Sequence, residues 1–319
     1  MLDLIIWIGI FAVSLFVLIK ASDYFTGSAE KIGMHFGLPA FIVGVTIVAI
    51  GTSLPELVSS ILAVLRNSSE IVVANVVGSN ITNIFLILGI AAIISKKIKI
   101  VYELVHVDLP LLVGSAFLFA AMIWDGVFTL PEALISILGI IIYFTYTINT
   151  EKKHKDIEIR KEMKGQLNVK TPMFNNWAVL IVSAVFIYFG AKYTIESIIS
   201  LSIILDIGKE IIAVSAVALG TSLPELAVSV AAARKGKPEI AVGNILGSNI
   251  FNTFAVMGIP ALFGTLIIPS GIIAFSLPMM LIATLLFFFM TQEKVVTKWE
   301  GYLLILFYVF FIGKVFGLF

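Results

Sequence analysis

Two glutamates, Glu56 and Glu225, are the residues of this 319-residue chain best placed to do chemistry. Each directly follows a proline in the text G-T-S-L-P-E, and each lies within a long apolar stretch. An ionised side chain in the middle of a bilayer costs about 2.5 kcal/mol or more, so such residues are functional candidates. Two carboxylates that face each other also repel unless a cation neutralises them. The pair therefore indicates a site for a divalent cation.

The residues around the two acids offer oxygen, and they offer no sulfur or imidazole. Ca²⁺ takes about six to eight oxygen ligands, whereas transition metals favour Cys and His. The chain has no cysteine, and its three histidines lie far from the acids in sequence. Na⁺ also binds oxygen, so one pocket can serve both ions. The hydroxyl and amide candidates are Thr52, Thr221, Ser53, Ser222, Ser79, Ser248, Asn83 and Asn252. Any single Ser or Thr among them can equally be structural, because membrane hydroxyls often bond to a carbonyl of their own helix.

The prolines beside the acids predict breaks in two helices. Proline has no N–H, so the carbonyl four residues earlier loses its helical partner. For Pro55 and Pro224 these carbonyls belong to Gly51 and Gly220. Freed carbonyls in hydrocarbon are costly unless they are buried in protein or bind a ligand. We expect both helices to be interrupted there.

The composition assigns the chain to the membrane. Sixty per cent of its residues are apolar and 13% are charged, against about 45–50% and about 25% in soluble domains. We therefore expect an all-α integral membrane protein in the lipid bilayer. No basic patch is interleaved with aromatic residues, which argues against nucleic-acid binding. No H-E-x-x-H motif accompanies the acids, so we expect neither an enzyme nor a cofactor.

Ten apolar stretches are long enough to cross a bilayer, for which about 20 residues are needed. A charged loop at 150–176 separates a first five-span half, 1–149, from a second, 177–319. On this map Glu56 and Glu225 are the only acids near the middle of the membrane. The predicted spans are 4–22, 38–65, 71–95, 107–124, 127–149, 177–198, 205–232, 239–264, 269–290 and 299–318.

The lysines and arginines orient this map, because they accumulate in cytoplasmic loops. With the N-terminus outside, four of the 21 lie outside and the other 17 lie inside. This asymmetry predicts a multi-pass protein of the cell membrane with both termini extracellular and the central loop cytoplasmic. The four on the outside are Arg66, Lys192, Lys209 and Lys314.

The two halves carry one text twice. Residues 48–57 read VAIGTSLPEL and residues 217–226 read VALGTSLPEL, and the N-x-x-G-S-N-x-x-N run that begins at Asn75 recurs from Asn244. Residue 48 thus matches 217 and residue 75 matches 244, an offset of 169 residues in both motifs. Because each half has an odd number of spans, the second half enters the membrane from the opposite side. We therefore predict ten transmembrane helices as two inverted five-helix repeats, with a site near the midplane where they meet.

Two copies of G-T-S-L-P-E, each followed by G-S-N-x-x-N, resemble the alpha repeats of the sodium/calcium exchanger family, within the calcium/cation antiporters. The resemblance extends to the ten-span plan and the long central loop. It implies a secondary antiporter that exchanges Na⁺ for Ca²⁺ by alternating access. In that family spans 1 and 6 slide across a core of spans 2, 3, 7 and 8. We expect the chain to act as a monomer.

Carried over by motif, the resemblance makes Glu56 and Glu225 the paired calcium ligands. The backbone carbonyls of Thr52 and Thr221 would complete that site, and Asn83 and Asn252 would complete a central diamond of side chains. The flanking Na⁺ sites would be lined by Ser53, Ser79, Ser222 and Ser248 and by the carbonyls of Ala49 and Ala218.

Asn252 departs from the family's pattern, because prokaryotic and potassium-dependent relatives often carry an acid there. The asparagine argues against K⁺ dependence and leaves two fixed carboxylates. One Ca²⁺ balances this pair, whereas three Na⁺ leave a charge of +1, so the family's 3:1 exchange would respond to voltage. Two alternatives stay open. Protons can replace Na⁺ on the glutamates in a proton/calcium antiporter of the same fold, or the acids and carbonyls can form the filter of a cation channel.

Overall fold

The computed structural model describes residues 2–36, 38, 40–99, 102–153, 173–204 and 222–318. Within these ranges the short strands are β1 (Lys97–Lys99), β2 (Val127–Phe128), β3 (Leu266–Ile267) and β4 (Val295–Thr297). The helices in chain order are α1 (Leu2–Phe36), α2 (Ala40–Leu65), α3 (Glu70–Ser95), α4 (Tyr102–Met122), α5 (Leu130–Lys153), α6 (Met173–Ile204), α7 (Leu223–Arg234), α8 (Pro238–Ala261), α9 (Ile272–Thr291) and α10 (Lys298–Val315).

Seven of the helices in the described ranges are long and apolar enough to cross a membrane: α1, α2, α3, α5, α6, α8 and α9. Helix α4 contains a shorter apolar stretch, Asp108–Met122. Large apolar side chains are exposed on the outer helices, among them Phe16, Leu138, Phe186 and Leu306. By contrast α8 is buried along its length, from residue 240 to 258. The molecule is therefore apolar outside around a buried central helix, as expected in lipid.

Helix α1 is longer than the predicted span 4–22. It continues without a break to Phe36, past the charged residues that suggested its end. Ala21, Phe25, Ala29 and Ile32 are buried, and their spacing of three and four residues places them on one face of the helix. This face packs on the protein, so the helix continues where hydropathy alone predicted a loop.

The segment predicted as the central loop is helical at both ends. Helix α5 ends at Lys153 and α6 begins at Met173, so both ends of the predicted 150–176 segment are helical. Residues 154–172 lie outside the described ranges. The predicted span 205–232 is described only from Ser222, and α7 begins at Leu223.

Close contact between α2 and α8 joins the two halves at the centre. A Cβ built on Gly247 would overlap the backbone carbonyl of Val45, and one on Gly44 would lie 2.5 Å from the carbonyl of Ile240. Only glycine permits this approach of two helix backbones, as in other membrane helix pairs. Gly44 and Gly247 are therefore close-packing positions between the two halves.

Two short antiparallel ladders also join the halves, and each repeats the other. In one, β1 pairs with β4, with Ile98 opposite Val296. In the other, β2 pairs with β3, with Val127 opposite Ile267. Ile98 and Ile267 are separated by 169 residues, as are Val127 and Val296. The offset found in the motifs therefore extends to the pairing of strands far from them.

Ion pairs connect α1 with the turn between α7 and α8. Lys235 lies 3.7 Å from the carboxylate of Asp23 and also donates to its backbone carbonyl. Lys237 lies 2.8 Å from Glu30. The charge count placed these two segments on the same side of the membrane, and their contact agrees with a shared side.

Candidate cation-binding site

The two glutamates lie one in each half, and both are buried. Glu56 is in α2 and Glu225 is in the first turn of α7. Each side chain is 1% exposed, and the two carboxylates are close enough to interact electrostatically. Burying two like charges together is costly unless a partner of opposite charge is bound.

The hydroxyl of Ser53 in α2 contacts Glu225 of the other half. Its Oγ lies 2.9 Å from Oε1 of Glu225 and 3.0 Å from Oγ of Ser248. Ser53 precedes Glu56 by three residues, so both side chains lie on the same face of α2. Glu225 therefore faces the side of α2 that carries Glu56.

Asn83 and Asn252 each begin a π-helical segment. These segments are Asn83–Leu88 in α3 and Asn252–Val256 in α8, at equivalent places in the two halves. Both side chains are buried, at 0% and 1% exposure. A π-helical turn is rare and occurs frequently at functional sites. Each asparagine also lies one turn after a predicted serine ligand, Ser79 or Ser248.

Five buried oxygens of the glutamates and site asparagines accept no hydrogen bond within the described part of the chain. A buried polar group without a partner costs about 1–3 kcal/mol, so several of them in one region point to a ligand. Carboxylate and amide oxygens of this kind suit Ca²⁺ and other hard cations. The five atoms are Oε1 and Oε2 of Glu56, Oε2 of Glu225, Oδ1 of Asn83 and Oδ1 of Asn252.

The predicted serine ligands are buried beside these residues. Ser79 donates to Asn75 Oδ1 at 3.5 Å, and Ser248 makes the same contact with Asn244 at 3.4 Å. Ser222 lies in the turn before α7, and its Oγ has no hydrogen-bond partner among the described residues. Ser53 thus lies between Ser248 and Glu225, and Ser79 and Ser248 repeat one contact across the halves.

The remaining predicted ligands are backbone carbonyls in α2 and in the second half. Thr52 is buried, and its hydroxyl contacts the carbonyls of Val48 at 3.1 Å and Ala49 at 3.4 Å. The Thr52 hydroxyl also contacts Asn244 Oδ1 at 3.2 Å. Ala49 is buried as well. Two further predicted ligands, Thr221 and Ala218, lie outside the described residues.

Two asparagines next to the site, Asn75 and Asn244, hold helices together. Asn75 donates to Ser60 of α2 at 3.4 Å. At the equivalent place in the second half, Asn244 donates to Ser229 of α7 at 2.9 Å. Together these bonds fix the helices that carry the acids.

The predicted break of span 2 at Gly51–Pro55 is wrong. Helix α2 is α-helical from Ala49 to Leu65 with Pro55 inside it, and its irregular segment is the π-helical Gly44–Val48. A proline inside a helix removes one hydrogen bond, and neighbouring helices can compensate for this loss in a membrane protein. In the second half Pro224 lies in the first turn of α7, and Gly220 is outside the described residues.

Asp108 is a further buried acid, which the sequence did not single out. Asp108 is 3% exposed and lies inside α4, close to Tyr143 of α5. The predicted span began at residue 107, which put this acid at its edge, whereas α4 begins at Tyr102.

Comparison with known proteins identifies the family. The sodium/calcium exchanger protein family model matches residues 6–149 and again residues 175–317. The chain belongs to the sodium/calcium exchanger family. The exchanger is 34% identical to sodium/calcium exchanger MaX1 of Methanosarcina acetivorans over 342 residues, which cover 96% of this chain and 97% of that protein. It is 32% identical to membrane protein MJ0091 of Methanocaldococcus jannaschii, with 98% of each chain covered.

The fold of the exchanger is similar to that of a solved family member. It matches the sodium-calcium exchanger NCX_Mj soaked with Na⁺ and Sr²⁺ with a TM-score of 0.84 and 28% identity, over 98% of this chain and 99% of that one. The family and the multi-pass membrane class that were predicted are therefore confirmed. The exchanger is a membrane transporter, and its family supports exchange of Na⁺ and Ca²⁺.

Proposed function

We propose that the exchanger is an electrogenic, K⁺-independent antiporter that moves Na⁺ against Ca²⁺ by alternating access. The observation that carries this proposal is the group of buried oxygens without hydrogen-bond partners on Glu56, Glu225, Asn83 and Asn252. These oxygens come from both halves and are of the type that Ca²⁺ and Na⁺ bind. In this role Glu56 and Glu225 hold Ca²⁺, and the serines and backbone carbonyls around them hold Na⁺.

The expected voltage dependence of exchange follows from the number of charges at the site. Two carboxylates are neutralised by one Ca²⁺, and Asn252 contributes an oxygen without a third charge. Three Na⁺ at the same place leave one positive charge, which then crosses the membrane with sodium. The potential acts on such a charge with about 2.3 kcal/mol per 100 mV. Exchange at 3:1 is therefore expected to be strongly voltage-dependent.

The arrangement of the repeats supports exposure of one site to both sides in turn. Five spans in each half make the halves inverted, and the two exchanged strand ladders fit a two-fold relation between them. Inverted repeats are typical of transporters that alternate access around a fixed midplane site. We propose ten spans in this arrangement, with both termini extracellular and the central loop cytoplasmic.

The moving part in this proposal is the pair α1 and α6. These two helices lie along each other, with Thr194 donating to Ser14 at 3.0 Å. A Cβ on Gly190 would lie 3.0 Å from the backbone of Leu18, so the helices are in close contact. Because none of the glutamates or site asparagines lies on either helix, the pair can shift relative to the core while the site stays intact.

Uptake of ⁴⁵Ca²⁺ into proteoliposomes tests this proposal. Vesicles loaded with Na⁺ and diluted into Na⁺-free buffer should accumulate Ca²⁺, and vesicles loaded with K⁺ should not. A valinomycin-imposed potential that is positive inside should accelerate uptake, because net positive charge leaves with Na⁺. An inside-negative potential should slow it.

The same vesicles distinguish the alternatives. Uptake driven by a pH gradient without Na⁺ would favour proton coupling and contradict the proposal. Flux that persists without any counter-ion would favour a channel. Na⁺-driven uptake that ignores the imposed potential would refute 3:1 stoichiometry while leaving exchange itself in place.

A further inference from the structure

Two buried asparagines outside the proposed ligand set, Asn80 and Asn249, contact the site asparagines. Asn252 Nδ2 donates to Asn80 Oδ1 at 3.3 Å. In the equivalent contact of the other half, Asn83 Nδ2 donates to Asn249 Oδ1 at 3.1 Å. In both contacts the amide NH₂ group of the site asparagine donates a hydrogen bond. The Oδ1 of that asparagine has no hydrogen-bond partner among the described residues.

An amide ligand has a problem of orientation that a carboxylate does not have. One end of the asparagine side chain is an oxygen with lone pairs, and the other is an NH₂ group that only donates. Only the oxygen end can bind a cation. At position 252 this chain has an amide where an acid would present oxygen in either orientation. A neighbouring acceptor is therefore needed to hold the NH₂ end away from the cation.

Asn80 is itself fixed in the orientation that this task requires. Its Nδ2 donates to Thr253 Oγ1 at 3.0 Å and lies 3.4 Å from the backbone carbonyl of Asn249. A carbonyl only accepts, so it selects the NH₂ end of Asn80 and turns Oδ1 of Asn80 toward Asn252. The residue equivalent to Thr253 in the first half is Ile84, which has no hydroxyl. Asn80, which faces Asn252, is thus held by one more hydroxyl than Asn249, which faces Asn83.

We propose that Asn80 is a positioning residue that fixes the amide of Asn252 so that its oxygen faces the transported cation. The inference rests on the proposed function, because it assumes a cation beside Asn252. Residues that orient metal ligands typically change affinity by about 10- to 100-fold when mutated. Loss of Asn80 therefore weakens Ca²⁺ binding because Asn252 can then turn its NH₂ group toward the ion.

A double-mutant cycle on purified exchanger tests this role, with Ca²⁺ binding measured by equilibrium dialysis of ⁴⁵Ca²⁺. In the wild-type background Asn80→Leu should weaken binding roughly 10- to 100-fold. In the Asn252→Asp background the same change should cost less than about threefold, because a carboxylate needs no fixed orientation. An equal loss in both backgrounds would mean that Asn80 is only structural.

Two further variants keep the result interpretable. Thr253→Val removes one acceptor of the Asn80 amide but leaves the contact with Asn252, so Ca²⁺ binding should stay within about twofold of wild type. If Asn80→Leu does not fold, Asn80→Ser removes the same acceptor with a smaller change, and it should give the same pattern. Na⁺-driven uptake by the wild type is measured on the same preparation. If the double-mutant cycle shows coupling between Asn80 and Asn252 but the wild type shows no Na⁺-driven uptake, the proposed antiport is refuted and the role of Asn80 stands.

Discussion

Replacement of Glu56 by glutamine is the most informative single change to the proposed site. Glutamine keeps the shape of the side chain and removes its charge. Neither carboxylate oxygen of Glu56 has a hydrogen-bond partner within the described residues, so no hydrogen bond among them depends on the charge. The variant should insert and fold normally but lose Ca²⁺ transport.

The expected magnitude follows from burial of the site. An opposite unit charge at about 4 Å contributes about 4 kcal/mol at an effective dielectric constant of about 20, and a divalent ion about twice that. If desolvation cancels half of this roughly 8 kcal/mol, about 4 kcal/mol remains. That loss corresponds to roughly a thousandfold weaker binding of Ca²⁺.

Two assays on the same preparation measure this loss. Wild-type exchanger at 100 times its dissociation constant should gain about 2.7 kcal/mol from Ca²⁺ against thermal unfolding, and Glu56→Gln should gain nothing at the same concentration. Na⁺-driven ⁴⁵Ca²⁺ uptake should fall to background. Glu70→Gln is the matched control, because Glu70 is an exposed acid at the start of α3. Near-normal uptake by Glu56→Gln would mean that the cation binds elsewhere.

Three other perturbations test separate parts of the account. Glu225→Gln should also abolish uptake, although the glutamine oxygen can still accept the hydrogen bond from Ser53. Retained uptake would refute the paired-acid mechanism. Gly247→Ala should lower the melting temperature by several degrees, because overpacking costs about 1–3 kcal/mol, whereas Gly114→Ala has open space around it and should not lower it. Since the chain has no cysteine, Arg66→Cys should react with an impermeant maleimide from outside intact cells and Lys97→Cys only after lysis. The opposite labelling would invert the proposed orientation.

The family and the two acids were predictable from sequence because both depend on local text. A duplicated motif is visible in any sequence, and an acid inside an apolar stretch is conspicuous because hydrocarbon penalises charge. Asn75 and Asn244 belong to the same repeated text. Their hydrogen bonds to Ser60 and Ser229 join helices that are adjacent in both sequence and space.

Features that depend on packing between distant segments were not predictable. The length of α1 is set by the buried face from Ala21 to Ile32, which charged neighbours conceal in a hydropathy window. The burial of Asp108 depends on α5 covering the start of α4. The π-helical segments at Asn83 and Asn252 have no sequence signature, because one extra residue in a turn leaves the composition unchanged.

Anomalous diffraction from crystals of the exchanger soaked with Sr²⁺ in place of Ca²⁺ would locate the bound cation. We expect one strong peak between Glu56 and Glu225, about 2.3–2.6 Å from carboxylate oxygens of both, as for other Ca²⁺-type sites. The peak should weaken as Na⁺ in the soak is raised. A strong peak elsewhere, or contact with only one of the two carboxylates, would contradict a cation shared between the halves.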